Sequence, residues 1–347
     1  MRAMILAAGL GTRLRPLTYV MPKPVAPVLN IPIVSRIAEL LADHGFSEVV
    51  TNLSYLPEQI REVLGDGSEF DLRITYSEEP EPLGTAGGVG KVRDFLSETD
   101  SFLIISGDAL TEIDLSAMRE AHESNVEAGA IATLATKRVD DTTQFGVAIT
   151  DDDGRIQGFQ EKPEPAEALS DLANCGIYML RSEIFDHFPP SDHKSPAGDE
   201  GQPSGFVDWA IDVFPALLDG DVPFFSHEID AYWNDIGSVS EFVQGNLDAL
   251  AGEAGIAPRA EEVTSGVWAG QGSDLDAVKV QPPVLIGRDC HLGGGVSLHG
   301  PVVVGDGCRI GPGAMLRDAV VLPGAEVPAG ALVVGGLYGI ETDRPLG

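Results

Sequence analysis

The chain has 347 residues, 43% of them hydrophobic, with 54 acidic against 22 basic side chains and a formal net charge of −32. That length suggests two domains with ample material for a core, and so negative a chain is ill suited to nucleic acid or an anionic membrane surface. The three cysteines, Cys175, Cys290 and Cys308, are too few and too scattered for a disulfide framework or a zinc site. No apolar run approaches the ~18 residues of a membrane span. The first strand starts next to Met1, with no signal peptide before it, so a reducing cytoplasm is the expected setting. Arg outnumbers Lys among the few cations. The acidic excess then serves solubility or adapts the surface to high salt, while the cations cluster at a site.

Residues 4–7 form a short apolar run that reads as a buried strand. Ala8-Gly9-Leu10-Gly11-Thr12 follows as a tight loop whose backbone N–H groups can turn toward a ligand. Arg13, Arg15 and Lys23 come soon after. A Gly-rich loop after a strand, backed by fixed positive charge, is a device for holding phosphates. It is not a Walker A loop, which needs Gly, four residues, then Gly-Lys-Ser/Thr. Nor is it a dinucleotide fingerprint, because Leu14 stands where the third glycine belongs.

Further along, apolar runs over 3–7, 48–51, 73–76 and 102–106 read as strands, separated by helical spacing over 33–44, 57–64 and 85–95. Alternation of this kind predicts a parallel sheet with helices on both faces, and ligands outside the carboxyl ends of its strands. Residues 129–138 read as another strand. Residues 146–150 and 155–161 read as a hairpin closed by Asp151-Asp152-Asp153-Gly154, a turn sequence in preference to a metal cluster. Strands over 174–181 and 222–228 follow, with a flexible loop over 191–205 between them. A helix over 238–250 closes a first domain, 1–250, and 251–279 reads as a linker.

The tail is periodic. Val280, Ile286, Leu292, Leu298, Val304, Ile310, Leu316 and Leu322 recur every sixth position, the hexapeptide pattern of a left-handed parallel β-helix. Small or β-branched residues two positions earlier, Cys290 and Cys308 among them, should also point inward as inert thiols. The pattern fails at Glu326 and Pro328, so about three coils are expected within 280–339.

The wording Gly9-Leu10-Gly11-Thr12-Arg13-Leu14-Arg15-Pro16-Leu17-Thr18, followed by Pro22-Lys23-Pro24, closely resembles the signature of the sugar-nucleotide pyrophosphorylases. Five further stretches resemble that family in its order: Glu81–Gly88, Gly107-Asp108, Glu161-Lys162-Pro163, Asn174–Tyr178 and Trp233–Gly237. The resemblance covers 1–250 and implies a Rossmann-like, three-layer, mostly parallel α/β fold with the repeat tail as an optional addition. It implies the reaction NTP + sugar 1-phosphate ⇌ NDP-sugar + pyrophosphate. It places Leu6, Ala7, Gly9, Gly11, Thr12, Arg13, Gly84 and Thr85 on the nucleotide. Gly146, Glu161, Lys162 and Asn174 fall on the sugar phosphate, and Asp108 and Asp235 on Mg²⁺. Arg13, Lys23 and Lys162 are the catalytic cations.

The substrate's phosphate oxygen is already anionic, so no general base is needed, and no His or Ser lies in these motifs. Positioning and charge neutralisation carry the rate. The whole chain is most similar to mannose-1-phosphate guanylyltransferases, making GTP and mannose 1-phosphate the expected pair. Glucose-1-phosphate uridylyl- and thymidylyltransferases share nearly all the motifs. Two other classes compete: a hexapeptide acyltransferase using His291 or His299, and a non-catalytic regulatory subunit, which the retention of Arg13, Asp108, Lys162 and Asp235 disfavours. The β-helix is expected to serve assembly of a homo-oligomer or regulation.

Overall fold

The computed structural model describes residues 1–190, 193–195 and 205–339. Most of the loop expected over 191–205 therefore lies outside the described residues. The chain separates into two compact units, cut differently from the bounds expected above. One comprises Met1–Leu10, Val34–Ala109 and Ile113–Trp233; the other comprises Gly11–Ile33, Leu110–Glu112 and the chain from Asn234 onward.

The first unit is built on a nine-stranded sheet. Arg2–Leu6 lies between Ser101–Ser106 and Glu48–Leu53, parallel to both, and Glu48–Leu53 pairs in parallel with Arg73–Glu78. Central parallel strands are covered on both faces, so they must be apolar on both. Ala3, Met4 and Ile5 and the run Phe102–Ile105 are all fully buried. Leu172–Arg181 runs antiparallel to Ser101–Ser106 and leads into the other half of the sheet, where Gly146–Thr150 and Ile156–Glu161 form the expected hairpin. Asp151 closes it as a turn residue, its Oδ1 accepting the N–H groups of Asp153 and Arg155 at 3.1 and 2.9 Å.

The helix Leu115–Glu127 was not among the expected elements. Its exposed face is too polar for a clear apolar stripe, and the cap carries the signal instead. Asp114 accepts the N–H groups of both Ser116 and Ala117 at 2.9 Å. Tyr178, Trp209, Phe214 and Phe224 bury their rings in a contiguous cluster beside the sheet.

The second unit contains the helix Val239–Ala251, capped by Ser238, and a parallel β-helix of the left-handed hexapeptide type. The β-helix begins earlier than its repeat suggests. Val267–Ala269 already stacks in parallel on Val284–Ile286, inside the stretch expected as a linker. It runs on past Glu326 and Pro328, where the six-residue pattern fails, through Leu332–Val334 to Leu337–Tyr338, inside the expected 280–339. A register step explains the broken pattern. His299 stacks on Arg317, eighteen residues on, but Val302 stacks on Ala319, seventeen on. The two-residue corner Gly300-Pro301 has become Asp318 alone, so the inward series continues as Val321, Val327 and Val333, one residue ahead of the six-residue count. Cys290 and Cys308 are interior free thiols, as expected.

Candidate active site

Within the first unit, strand ends set the positions. Leu6 and Ser106 pair in register, and Gly107 donates its N–H to the Leu6 carbonyl at 2.8 Å. A Cβ on Gly107 would sit 2.8 Å from that same oxygen, so only glycine allows the crossing. Asp108 therefore emerges at the carboxyl edge of two adjacent parallel strands, beside Leu6 and Ala7, where ligands of such sheets bind. The Ala7 N–H is taken by Asn52 Oδ1 at 2.7 Å, and Asn52 Nδ2 donates to Glu79 Oε1 at 2.8 Å. Burial pushes the Glu79 carboxyl above its ordinary range. Sequence reasoning missed this polar chain; the only trace it leaves is an Asn one residue before the end of an apolar strand.

The loop expected to meet the nucleotide through Gly84 and Thr85 shows a second use for its small residues. Gly84 has φ 80°, and its place admits no Cβ, which would lie 2.3 Å from the Val207 carbonyl oxygen. That oxygen accepts the N–H groups of Ala86 and Gly87 at 2.9 and 3.0 Å. The Thr85 hydroxyl bonds to Asp208 Oδ2 at 2.8 Å and accepts from the Trp209 N–H. The start of the helix Gly84–Lys91 is thus sealed by the segment after Phe206.

On the other half of the sheet, Gly146 pairs with Glu161, whose Oε2 would be 3.1 Å from a Cβ at Gly146. Lys162 Nζ lies 3.0 Å from Glu161 Oε1, and the Lys162 backbone has φ 46°, uncommon for a residue with a side chain. Asn174 donates from Nδ2 to the Tyr178 hydroxyl and accepts the Gly176 N–H. A cavity of about 290 Å³ lined by Arg2, Glu48, Arg73 and Glu98 lies at the amino ends of the strands, the end away from these groups.

Within the second unit, Gly11 has φ 59° and its carbonyl accepts the Thr18 hydroxyl at 2.8 Å. Lys23 is buried with its Cβ 3.1 Å from where a Cβ on Gly11 would be. Arg13 Nη2 and Asp235 Oδ2 are 3.6 Å apart, with the Arg13 side chain 55% exposed. So open an ion pair adds little to stability, but it leaves the guanidinium free to reach a ligand. Asp235 sits in a tight turn. Ile236 has φ 48°, an outlier for a β-branched residue, and its N–H is held by Asn234 Oδ1 at 2.7 Å. A Cβ at Gly237 would lie 3.1 Å from both Arg13 Nη1 and Asp235 Oδ1. Gly11, Thr12, Arg13, Lys23 and Asp235 thus share one compact unit. Leu6, Ala7, Gly9, Gly84, Thr85, Asp108, Gly146, Glu161, Lys162 and Asn174 share the other. No group of three or more His, Cys, Asp or Glu that could hold a metal occurs among the described residues. An aspartate such as Asp108 or Asp235 offers oxygen donors of the kind that suit a hard cation whose remaining positions go to phosphate and water.

Residues 2–252 match the family model for nucleotidyl transferases, and 283–318 match that for the bacterial transferase hexapeptide. Over 315 residues the chain is 38% identical to a UTP–glucose-1-phosphate uridylyltransferase of Synechocystis sp., spanning 86% of this chain and 77% of that protein. It is 33% identical over 340 residues to a mannose-1-phosphate guanylyltransferase of Mycobacterium tuberculosis, spanning 95% and 82%. Among solved structures, a Bacillus anthracis protein described as a glucose-1-phosphate thymidylyltransferase superposes with a TM-score of 0.61 at 26% identity, over 74% of this chain and 96% of that one.

Proposed function

The chain belongs to the nucleotidyl transferase family, and we propose that it joins an NTP to a hexose 1-phosphate, GTP and mannose 1-phosphate first among them, giving the NDP-sugar and pyrophosphate. The observation that carries the reading is the pairing of half-exposed Arg13 with Asp235, just beyond the Gly-rich loop. An exposed cation and an oxygen ligand side by side are what a transferring phosphoryl group requires.

In the reaction, a phosphate oxygen of the sugar 1-phosphate attacks the α-phosphorus, and the bond from that phosphorus to the bridging oxygen of pyrophosphate breaks. Lys162, steadied by Glu161, holds the sugar phosphate in line. Asn174 and the bare backbone at Gly146 border the hexose. Backbone N–H groups over Gly9, Gly11 and Thr12 receive the triphosphate, and Leu6, Ala7, Gly84 and Thr85 border the nucleoside. Arg13 and Lys23 offset the charge that grows on the α-phosphate and the departing pyrophosphate. Asp108 and Asp235 would hold Mg²⁺, which when bound would lower the repulsion between the reacting phosphates.

The 38% identity to the uridylyltransferase favours a second reading, UTP with glucose 1-phosphate. A pyrophosphate-release matrix of GTP, UTP, dTTP, ATP and CTP against mannose, glucose, galactose and N-acetylglucosamine 1-phosphates with Mg²⁺ separates the two. Silence in every well rejects the enzyme reading altogether. The setting we propose is the cytoplasm, with the protein a homo-oligomer assembled through the β-helix. No described helix is long and apolar enough to cross a membrane.

A further inference from the structure

The arm that carries Arg13 and Lys23 is held from its far end. Gly11–Ile33 belongs to the same compact unit as the β-helix and the helix Val239–Ala251. After Lys23 the chain makes one 3-10 turn, Lys23–Val25, and then a hairpin that pairs Pro27–Val28 with Ile31–Pro32. At its tip Leu29 and Asn30 have φ 49° and 64°. Positive φ at both positions is what a two-residue hairpin turn of type I′ requires; Asn30 tolerates it, whereas Leu29 needs contacts to hold it there.

Two amides do so. Asn246, fully buried on the helix Val239–Ala251, accepts the Leu29 N–H at 3.0 Å and donates to the Pro27 and Phe242 carbonyls at 3.3 and 3.1 Å. Asn30 Nδ2 donates to the Val304 carbonyl, a rung of the β-helix, at 3.0 Å. Val28 and Leu29 are themselves buried. The path back to the site is short and stiff. Ala26 donates to the Lys23 carbonyl at 3.0 Å, Pro22 and Pro24 flank Lys23, and Lys23 packs against Gly11.

We propose that Asn30 and Asn246 are positioning residues for nucleotidyl transfer. They dock the arm on the β-helix and its neighbouring helix, so that Lys23 and Arg13 stand where the phosphates react. The β-helix is then a working part of the catalytic arm, a role that rests on the function proposed for those two cations.

The test uses the full-length protein with Asn30→Ala and Asn30→Gly. Glycine relieves the left-handed strain while removing the tether, so it separates the two causes. Both variants should speed amide exchange over residues 24–33 about fivefold, as the loss of one hydrogen bond implies. Exchange over 284–298 should not change. Both should lower kcat several-fold with the KM for sugar 1-phosphate held. An Asn30→Gly variant with wild-type exchange overturns the proposal, and so does faster exchange with unchanged kcat. If the wild-type protein releases no pyrophosphate with any substrate pair, the functional reading fails. The exchange result then still decides whether Asn30 docks the arm.

Discussion

Gly84→Ala tests the seal at the start of the helix Gly84–Lys91. The new Cβ would stand 2.3 Å from the Val207 oxygen and 2.9 Å from its carbonyl carbon, both backbone atoms that cannot swing aside. The segment must retreat by roughly 1 Å to restore van der Waals distance. Three backbone hydrogen bonds stretch with it, from Ala86 and Gly87 to the Val207 carbonyl and from Val207 to the Leu83 carbonyl. At about 1 kcal/mol net each, plus about 1 kcal/mol for an alanine at φ 80°, the expected loss is about 4 kcal/mol. Gly129→Ala is the control, because Gly129 also has a positive φ, 91°, but nothing within 4 Å of its Cβ. It should cost only the conformational part, about 1 kcal/mol. Urea unfolding of both variants gives the difference from the shift in midpoint. If Gly84→Ala comes within about 1 kcal/mol of the control, the close approach of Val207 does not hold this helix. The same variant should raise the KM for NTP, since Thr85 would move with Asp208.

Asp108→Asn and Lys162→Ala should each reduce pyrophosphate release by orders of magnitude while leaving the urea midpoint near wild type; near-normal turnover in either removes its assigned role. His122, buried between the Ser101 and Thr133 hydroxyls, is pushed down by burial to about 4. Its unfolded form takes up a proton near pH 6.5 while the folded form resists until about pH 4. Its contribution is therefore complete above pH 6.5 and is lost on acidification through that window, by up to about 3 kcal/mol. His122→Gln should flatten the difference in stability between pH 6.5 and 4.5, and an unchanged slope would count against this account. With a net charge of −32, raising NaCl from low to molar concentration should raise the thermal midpoint by screening self-repulsion; a midpoint indifferent to salt rejects adaptation of the acidic surface to salt.

The central strands were legible because burial on both faces forces unbroken apolar runs such as Phe102–Ile105. The Gly-rich loop was legible because its chemistry is written in consecutive residues: glycines for backbone approach, then cations. The tail showed its period for the same steric reason, one inward aliphatic per face. What stayed hidden depends on contacts between distant residues. Gly84 reads as a ligand-facing glycine until Val207 is seen against it. Asn30 and Asn246 are ordinary polar residues until their partners, Val304 and Leu29, are known. The start of the β-helix escaped notice because Val267–Ala269 stacks on its neighbour without a repeating unit on either side in sequence. Deletion of a single corner residue was enough to break its six-residue pattern at Glu326 and Pro328.

That deletion also governs how this protein can be rebuilt. An additional coil must match the corner at which it is inserted. A graft patterned on Ser297–Val304, with its two-residue Gly300-Pro301 bend, fits only among the earlier rungs. Beyond Met315–Val321 the same graft would set a two-residue corner over a one-residue one, repeating the register step already present between these two coils. The shortened bend at Asp318 therefore acts as a polarity mark along an otherwise repetitive column. It gives each level of the stack an address that insertion, duplication or recombination between coils has to respect.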